Sequence, residues 1–227
     1  MNPSPSAVEF LRKCAIFGEL DASALSALAD RAHHRRFQAG NQIFRFGDPG
    51  QSMMIVMTGT VRVSRPTSKG KEIILGDLGP GEVIGEIAVL DGKERSADAS
   101  ALTNVEALLL DRREILPFLE AHPRLCMKML SLLCARLRLA DERMADVGFF
   151  DLSIRLAKTL LRRAPTAERS PRFKLPFSQG ELAEMIGGTR ESVNRQLQEW
   201  KKEGVLKLDR GWIIVVDREA LTRLTTG

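Results

Sequence analysis

At 227 residues, the chain can hold one large or two modest domains with real cores. It has three cysteines and three histidines, no CxxC pair and no long apolar run, which argues against a disulfide framework, a zinc or iron–sulfur centre and a membrane span. The net charge of +5 is lopsided: residues 1–150 hold 19 Lys/Arg against 19 Asp/Glu, and residues 151–227 hold 15 against 10, so a polyanion partner is expected at the C-terminal end.

Cys14, Cys126 and Cys134 read as reduced thiols of a cytoplasmic protein. The start, MNPSPSAVEFLRK, lacks a basic stretch followed by an apolar run, so no secretory leader is expected. Residues 6–13 and 21–32 have the spacing of short helices, the second with Asp21 as its N-cap. From about Gln38 to Leu110, short Val/Ile/Met/Leu runs alternate with Gly, Pro and Asp every 8–12 residues, the mark of an antiparallel sandwich or barrel. Met54–Met57 and Val61–Val63 flank Thr58-Gly59-Thr60, which predicts a strand bent or bulged at the glycine. Asp77–Gly81 predicts a tight turn.

In Val83–Ser100 (VIGEIAVLDGKERSADAS), Gly85-Glu86 precede Arg95-Ser96 between segments that read as strands. A carboxylate and a guanidinium so close are either an idle surface pair or two halves of a pocket, one gripping hydroxyls and the other a phosphate. Next, Leu130, Leu133, Leu137, Ala140, Met144 and Val147 form an a/d seam flanked by charges. This predicts a parallel dimer helix or, alternatively, a helix packed on its own domain. Gly148 is expected to interrupt it, with Phe149–Asp151 as a hinge.

Leu152–Ala164 reads as a helix with Leu152, Leu156, Thr159 and Leu160 on one face, and Pro165–Arg172 reads as a loop. Ser178 and Glu181 form a capping box opening a helix to Ile186; Gly187-Gly188 breaks it, and Thr189 caps a second helix running to about Lys202. Two short strands, Leu206–Leu208 and Trp212–Val216, follow around an Asp209–Gly211 turn. The pattern is a winged helix-turn-helix. Arg190, Glu191 and Arg195 fall near the start of its second helix, where side chains meet base edges in the major groove. Arginine pairs with guanine O6/N7 and glutamate accepts from cytosine N4. Ser178, Thr189 and Ser192 are placed to donate to phosphates, which positions rather than specifies.

The stretches GEIAVLDGKERSA and GGTRESVNRQL, in this order and separation, resemble the cyclic AMP receptor and fumarate-nitrate regulator superfamily of bacterial transcription regulators. The resemblance runs from about Phe10 to Val216. It implies an α+β chain with three parts: a cyclic-nucleotide-binding β jelly-roll over 1–122 with short flanking helices, a dimerisation helix over 123–148, and a winged helix-turn-helix over 149–227. It further implies a homodimer, a TGTGA-like palindromic DNA site, RNA polymerase as a partner and no enzymatic activity.

In the pocket, the resemblance implies that Gly85 and Glu86 hold the ribose, and that Arg95 and Ser96 hold the cyclic phosphate with backbone N–H groups near Ile87 and Ala97. Glu86 and Arg95 are expected to pair with each other when the site is empty. Arg136 and the positions of Ala140 and Asp141 are implied to face the base. Cyclic AMP is the expected effector. The family's threonine and serine are replaced by Ala140-Asp141, however, and a carboxylate also suits guanine's N1–H and N2 amino group, so cyclic GMP is the alternative. Asp141 is otherwise solvated or paired with Arg138, and a member that binds DNA without nucleotide is a further alternative. A cupin-type metal enzyme would need histidine in the barrel and a haem sensor histidine or cysteine, and Gln38–Leu110 has neither. A kinase-type regulatory subunit would lack the winged domain.

Overall fold

In a computed structural model of the chain, the described residues are 5–67, 72–163, 173–175, 177–209 and 212–225. The loop expected over Pro165–Arg172 and the turn residues Arg210 and Gly211 lie outside them. The chain divides into two compact units, Met1–Arg136 and Leu137–Gly227, each with its own core.

The first unit opens with α1 (Pro5–Lys13) and α2 (Ala22–Arg31). Asp21 caps α2, its carboxylate accepting from Ala24 N at 2.8 Å. The strands are β1 (His33–Phe37), β2 (Gln42–Phe44), β3 (Ser52–Thr58), β4 (Val61–Pro66), β5 (Glu72–Leu78), β6 (Val83–Ile84), β7 (Asp98–Ala101) and β8 (Val105–Asp111). They make two antiparallel sheets, ordered β1-β8-β3-β6 and β2-β7-β4-β5. The apolar run of β3 does not alternate with polar residues because both of its faces are covered. Met54 and Val56 pack with Val61, Ala99 and Ala101 of the other sheet. Met53 and Ile55 pack instead with Leu108 and Leu110 against α1, α2, α4 (Arg112–Ala121) and the start of α5 (Pro123–Phe149).

Two local expectations are corrected. The chain does not bend through Gly59 as one strand: β3 ends at Thr58, and β4 belongs to the other sheet. Gly59 sits at φ 82°, and a Cβ there would stand 2.2 Å from the Asn104 carbonyl oxygen, so only glycine makes this turn. Asp77 and Leu78 remain in β5, opposite Arg62 and Val61, so the turn begins at Gly79. The largely buried Arg62–Asp77 ion pair, 2.9 Å, holds that end of the ladder.

The second unit carries the C-terminal part of α5, then α6 (Leu152–Arg162), β9 (Phe173–Leu175), α7 (Gln179–Ile186), α8 (Arg190–Lys202), β10 (Leu206–Asp209), β11 (Trp212–Val215) and α9 (Arg218–Thr225). Its core joins Leu156 and Leu160 of α6 to Leu182, Val193, Leu197, Trp200 and Val215. The wing has a third strand, β9, in the order β10-β11-β9.

Gly148 does not interrupt α5, which continues to Phe149. A glycine costs a helix only about 1 kcal/mol against alanine, and an anchor lies two residues before it. Asp146, 6% exposed, accepts from Lys158 Nζ at 2.6 Å and from Arg162 Nη2 at 2.8 Å. The Lys158 ammonium also lies 3.9 Å from the centre of the Phe150 ring. The short Phe150-Asp151 link between α5 and α6 is therefore bridged by charge. Along α5, Leu125 and Met129 are buried, whereas Leu130, Leu137, Met144 and Val147 are 52, 62, 72 and 59% exposed. Among the described residues these four side chains are left mostly open to solvent, while Leu133 is half-buried.

Candidate functional site

The first candidate site is built where β6 runs into α3 (Glu86–Asp91), a short helix that the sequence reading missed. Gly85 starts it in the left-handed region, at φ 78°. A Cβ here would stand 2.4 Å from Arg95 Nη1, so the glycine is what lets the guanidinium approach. Arg95 is 4% exposed; it donates from Nη1 to the Gly85 carbonyl at 3.0 Å and from Nη2 to Ser52 Oγ at 3.2 Å. Its guanidinium carbon lies 4.3 Å from the centre of the Phe44 ring. Burial lowers its pKa from the usual value, opposed by the charges of Asp48 and Glu86.

Glu86 is 1% exposed and does not pair with Arg95, contrary to expectation. Arg136 reaches it from α5, donating to Glu86 Oε1 from Nη1 and to the Val83 carbonyl from Nη2, the latter at 2.6 Å. Arg95 is instead turned to the Gly85 carbonyl, Ser52 and Phe44. Of the three buried side-chain polar atoms without a partner among the described residues, two lie in this site, Glu86 Oε2 and Arg95 Nε, and the third, Arg155 Nε, lies in the second unit. Each such orphan costs roughly 1–3 kcal/mol. Glu86 Oε2 is an acceptor suited to a hydroxyl, Arg95 Nε a donor suited to an anionic oxygen. Ala97 is buried beside Arg95, Ile87 is exposed, and Ser96 is exposed, its carbonyl accepting from Arg65 Nη1 at 3.0 Å.

The second candidate site is the helix pair of the second unit. Ser178 and Glu181 close the expected capping box on α7, with Ser178 Oγ accepting from Glu181 N at 3.2 Å. Gly187 ends α7 in the left-handed region at φ 64°, and Arg155 Nη1 binds the Ile186 carbonyl at 2.9 Å. Thr189 caps α8, accepting from Ser192 N at 3.2 Å, and the two hydroxyls bond each other at 2.8 Å. Val193, Leu197 and Trp200 are buried. That leaves Arg190, Glu191 and Arg195 in solvent, a cationic and hydrogen-bonding face on a rigid helix.

Sequence comparison finds a cyclic nucleotide-binding domain over residues 34–122 and a Crp-like helix-turn-helix domain over 154–224. The chain is 31% identical over 219 residues to the CRP-like cAMP-activated global transcriptional regulator of Mycobacterium tuberculosis, covering 95% of this chain and 98% of the relative. The chain belongs to the family of CRP-like transcriptional regulators. It is also 35% identical over 193 residues to the cyclic AMP receptor protein of Thermus thermophilus, covering 85% of this chain and 88% of that one. The c-di-GMP responsive global regulator CLP of Xanthomonas campestris shares the fold, with a TM-score of 0.77 at 24% identity over 86% of this chain and 99% of that one.

The Mycobacterium tuberculosis relative is a transcriptional regulator. No helix among the described residues is long and apolar enough to cross a membrane. Within this CRP-like frame the structure brings Gly85, Glu86, Arg95 and Arg136 together. Ala140 and Asp141 are exposed on α5, and Asp141 has no ion-pair partner among the described residues, Arg138 included. Ser52 and Phe44, which hold Arg95, escaped sequence reasoning because each is an ordinary strand residue far from the motif in the chain.

Proposed function

We propose that the protein is a dimeric, cyclic-nucleotide-gated regulator that binds a TGTGA-like palindrome. The observation that carries this reading is the pair of buried orphans, Glu86 Oε2 and Arg95 Nε. A nucleoside 3′,5′-cyclic phosphate presents a 2′-hydroxyl and a phosphodiester close together, one partner for each. Gly85 and Glu86 take the ribose; Arg95 and Ser96, with backbone N–H groups near Ile87 and Ala97, take the phosphate. Arg136 orients the Glu86 carboxylate and so ties the site to α5. The exposed seam from Leu130 to Val147 supports pairing of α5 with a second copy. Arg190, Glu191 and Arg195 read bases, while Ser178, Thr189 and Ser192 position the helix on phosphates. RNA polymerase is the downstream partner in this reading.

Cyclic AMP is the effector this reading favours, in keeping with the two cAMP-named relatives. Cyclic GMP is the second reading, because Asp141 suits guanine's paired donors, with Ala140 beside it. The nucleotide acts only to the extent that it binds the DNA-competent state more tightly than the other. Calorimetric titration with cyclic AMP, cyclic GMP and cyclic di-GMP tests this, alongside Asp141→Ser. Binding of cyclic AMP that Arg95→Gln abolishes supports the reading. No binding of any of the three sinks it and leaves a regulator that works without nucleotide.

A further inference from the structure

The loop that carries Arg95 and Ser96 is held on both flanks. On the side of the β2–β3 link, Arg95 N donates to the Asp48 carbonyl at 2.8 Å and Gly47 N donates to the Arg95 carbonyl at 3.0 Å. Phe46 N donates to Asp98 Oδ1 at 2.7 Å. On the other side, the ladder between β4 and β7 stops at the Ser64–Asp98 pair, two residues short of Ser96. A side chain takes over there. Arg65 Nη1 donates to the Ser96 carbonyl at 3.0 Å, and the Arg65 guanidinium carbon lies 4.5 Å from the centre of the Phe46 ring. Arg65 and Ser96 are exposed and Phe46 is 45% exposed, so one side chain brackets the loop from its solvent side, from β4 across Ser96 to Phe46.

A carbonyl and the N–H of the next residue share one planar trans peptide unit and point in opposite directions. By fixing the Ser96 carbonyl, Arg65 therefore aims the Ala97 N–H, which is directed away from it. Ala97 is 6% exposed, and among the described residues nothing accepts from its N–H. Buried backbone donors are rarely left in this state. Set beside Arg95, whose Nε also lacks a partner, this donor suits an anionic oxygen. We propose that Arg65 is a positioning residue for the effector's cyclic phosphate, and that Phe46 is the plate that holds Arg65 in place. The role rests on the reading of Glu86 and Arg95 as a cyclic-nucleotide site. Every nitrogen of a guanidinium is a donor, so no exchange of atoms reverses the contact with Ser96. The charged donor at the carbonyl end also polarises the peptide, which strengthens the N–H at the other end. Without the ring, an exposed arginine would spread over many rotamers and hold the carbonyl only part of the time.

The test uses full-length protein and calorimetry with cyclic AMP and cyclic GMP. For whichever binds, its two phosphorothioate diastereomers are titrated too, in which sulfur replaces one or the other non-bridging phosphate oxygen. Thermal melts show that each variant is folded. Arg65→Met keeps an unbranched stem but loses the charge and the donors. It is expected to weaken the nucleotide by about 5–20-fold and to bring the affinities of the two diastereomers closer together. The second effect follows because an aimed N–H serves one of the two oxygens, and sulfur accepts poorly. Phe46→Ala is expected to act in the same direction and less strongly, and the double variant to be no weaker than Arg65→Met alone. An unchanged nucleotide affinity in Arg65→Met overturns the proposal. So does a loss that falls equally on both diastereomers, the mark of general loosening, or a double variant in which the two losses add. Failure of the unaltered protein to bind either nucleotide overturns the cyclic-nucleotide reading itself, a distinct result.

Discussion

Replacing Asp146 by alanine removes the anion that two cations of α6 share. Asp146 is 6% exposed, and the Lys158 and Arg162 side chains are 25% and 34% exposed. Removing one partner of a fully buried pair costs about 3–5 kcal/mol. Here the stranded cations keep some access to water, which brings the expected loss to about 2–3 kcal/mol. The assay is selective, because both tryptophans, Trp200 and Trp212, lie in the second unit. Urea unfolding followed by tryptophan fluorescence should show a midpoint lowered by about 2 M, for a slope of about 1–1.5 kcal/mol/M. The effect carries a pH signature. Burial pushes the Asp146 carboxyl up, but the hydrogen bonds from Lys158 and Arg162 outweigh this and leave its pKa below the ordinary value. A carboxyl depressed in the native state stabilises fully above its unfolded pKa, near 4, and that contribution disappears as pH falls through the native value. The gap between the protein and Asp146→Asn should therefore close on acidification. A midpoint within about 0.3 M of the unaltered protein, or a gap that widens in acid, refutes the clamp.

Gly85→Ala places a methyl 2.4 Å from Arg95 Nη1 at φ 78°; left-handed strain of about 1–2 kcal/mol and eviction of the guanidinium should abolish cyclic nucleotide binding in calorimetry, while DNA-independent melting of the second unit is unchanged. Leu137→Glu puts a charge on the exposed seam and should turn dimers into monomers in sedimentation; an unchanged dimer would show that α5 is not the interface. Cys134 is exposed and should react with a maleimide first, whereas Cys14, buried and with its thiol pushed up to about 11, should react only on unfolding. Mass spectrometry of labelled peptides gives the order.

Some of this molecule is written locally in the chain and some is not. The capping box at Ser178, the Thr189 cap and the glycines at 187 and 188 act within a few residues of one another, and the helix pair they define is where the sequence puts it. The same holds for Asp21 and for the period of α5. The pocket is different. Its motif is local, but the partners of its charges are not: Ser52 lies 43 residues from Arg95, and Arg136 lies 50 from Glu86. Sequence proximity therefore suggested a Glu86–Arg95 pair that tertiary contacts replaced. Helix α3 is six residues long, too short for a periodicity signal, and Gly148 looked like a break only because the Asp146 anchor is made by residues 12 and 16 positions later.

In the proposed function, a cyclic nucleotide at Glu86 and Arg95 controls DNA binding by α8. This is tested most directly by measuring affinity for a TGTGA-type palindrome, by anisotropy at one fixed salt concentration, with and without saturating cyclic AMP or cyclic GMP. One of them is expected to tighten binding by at least about 5-fold, and Arg95→Gln to remove the effect without changing the nucleotide-free affinity. Equal affinity in all three conditions contradicts it.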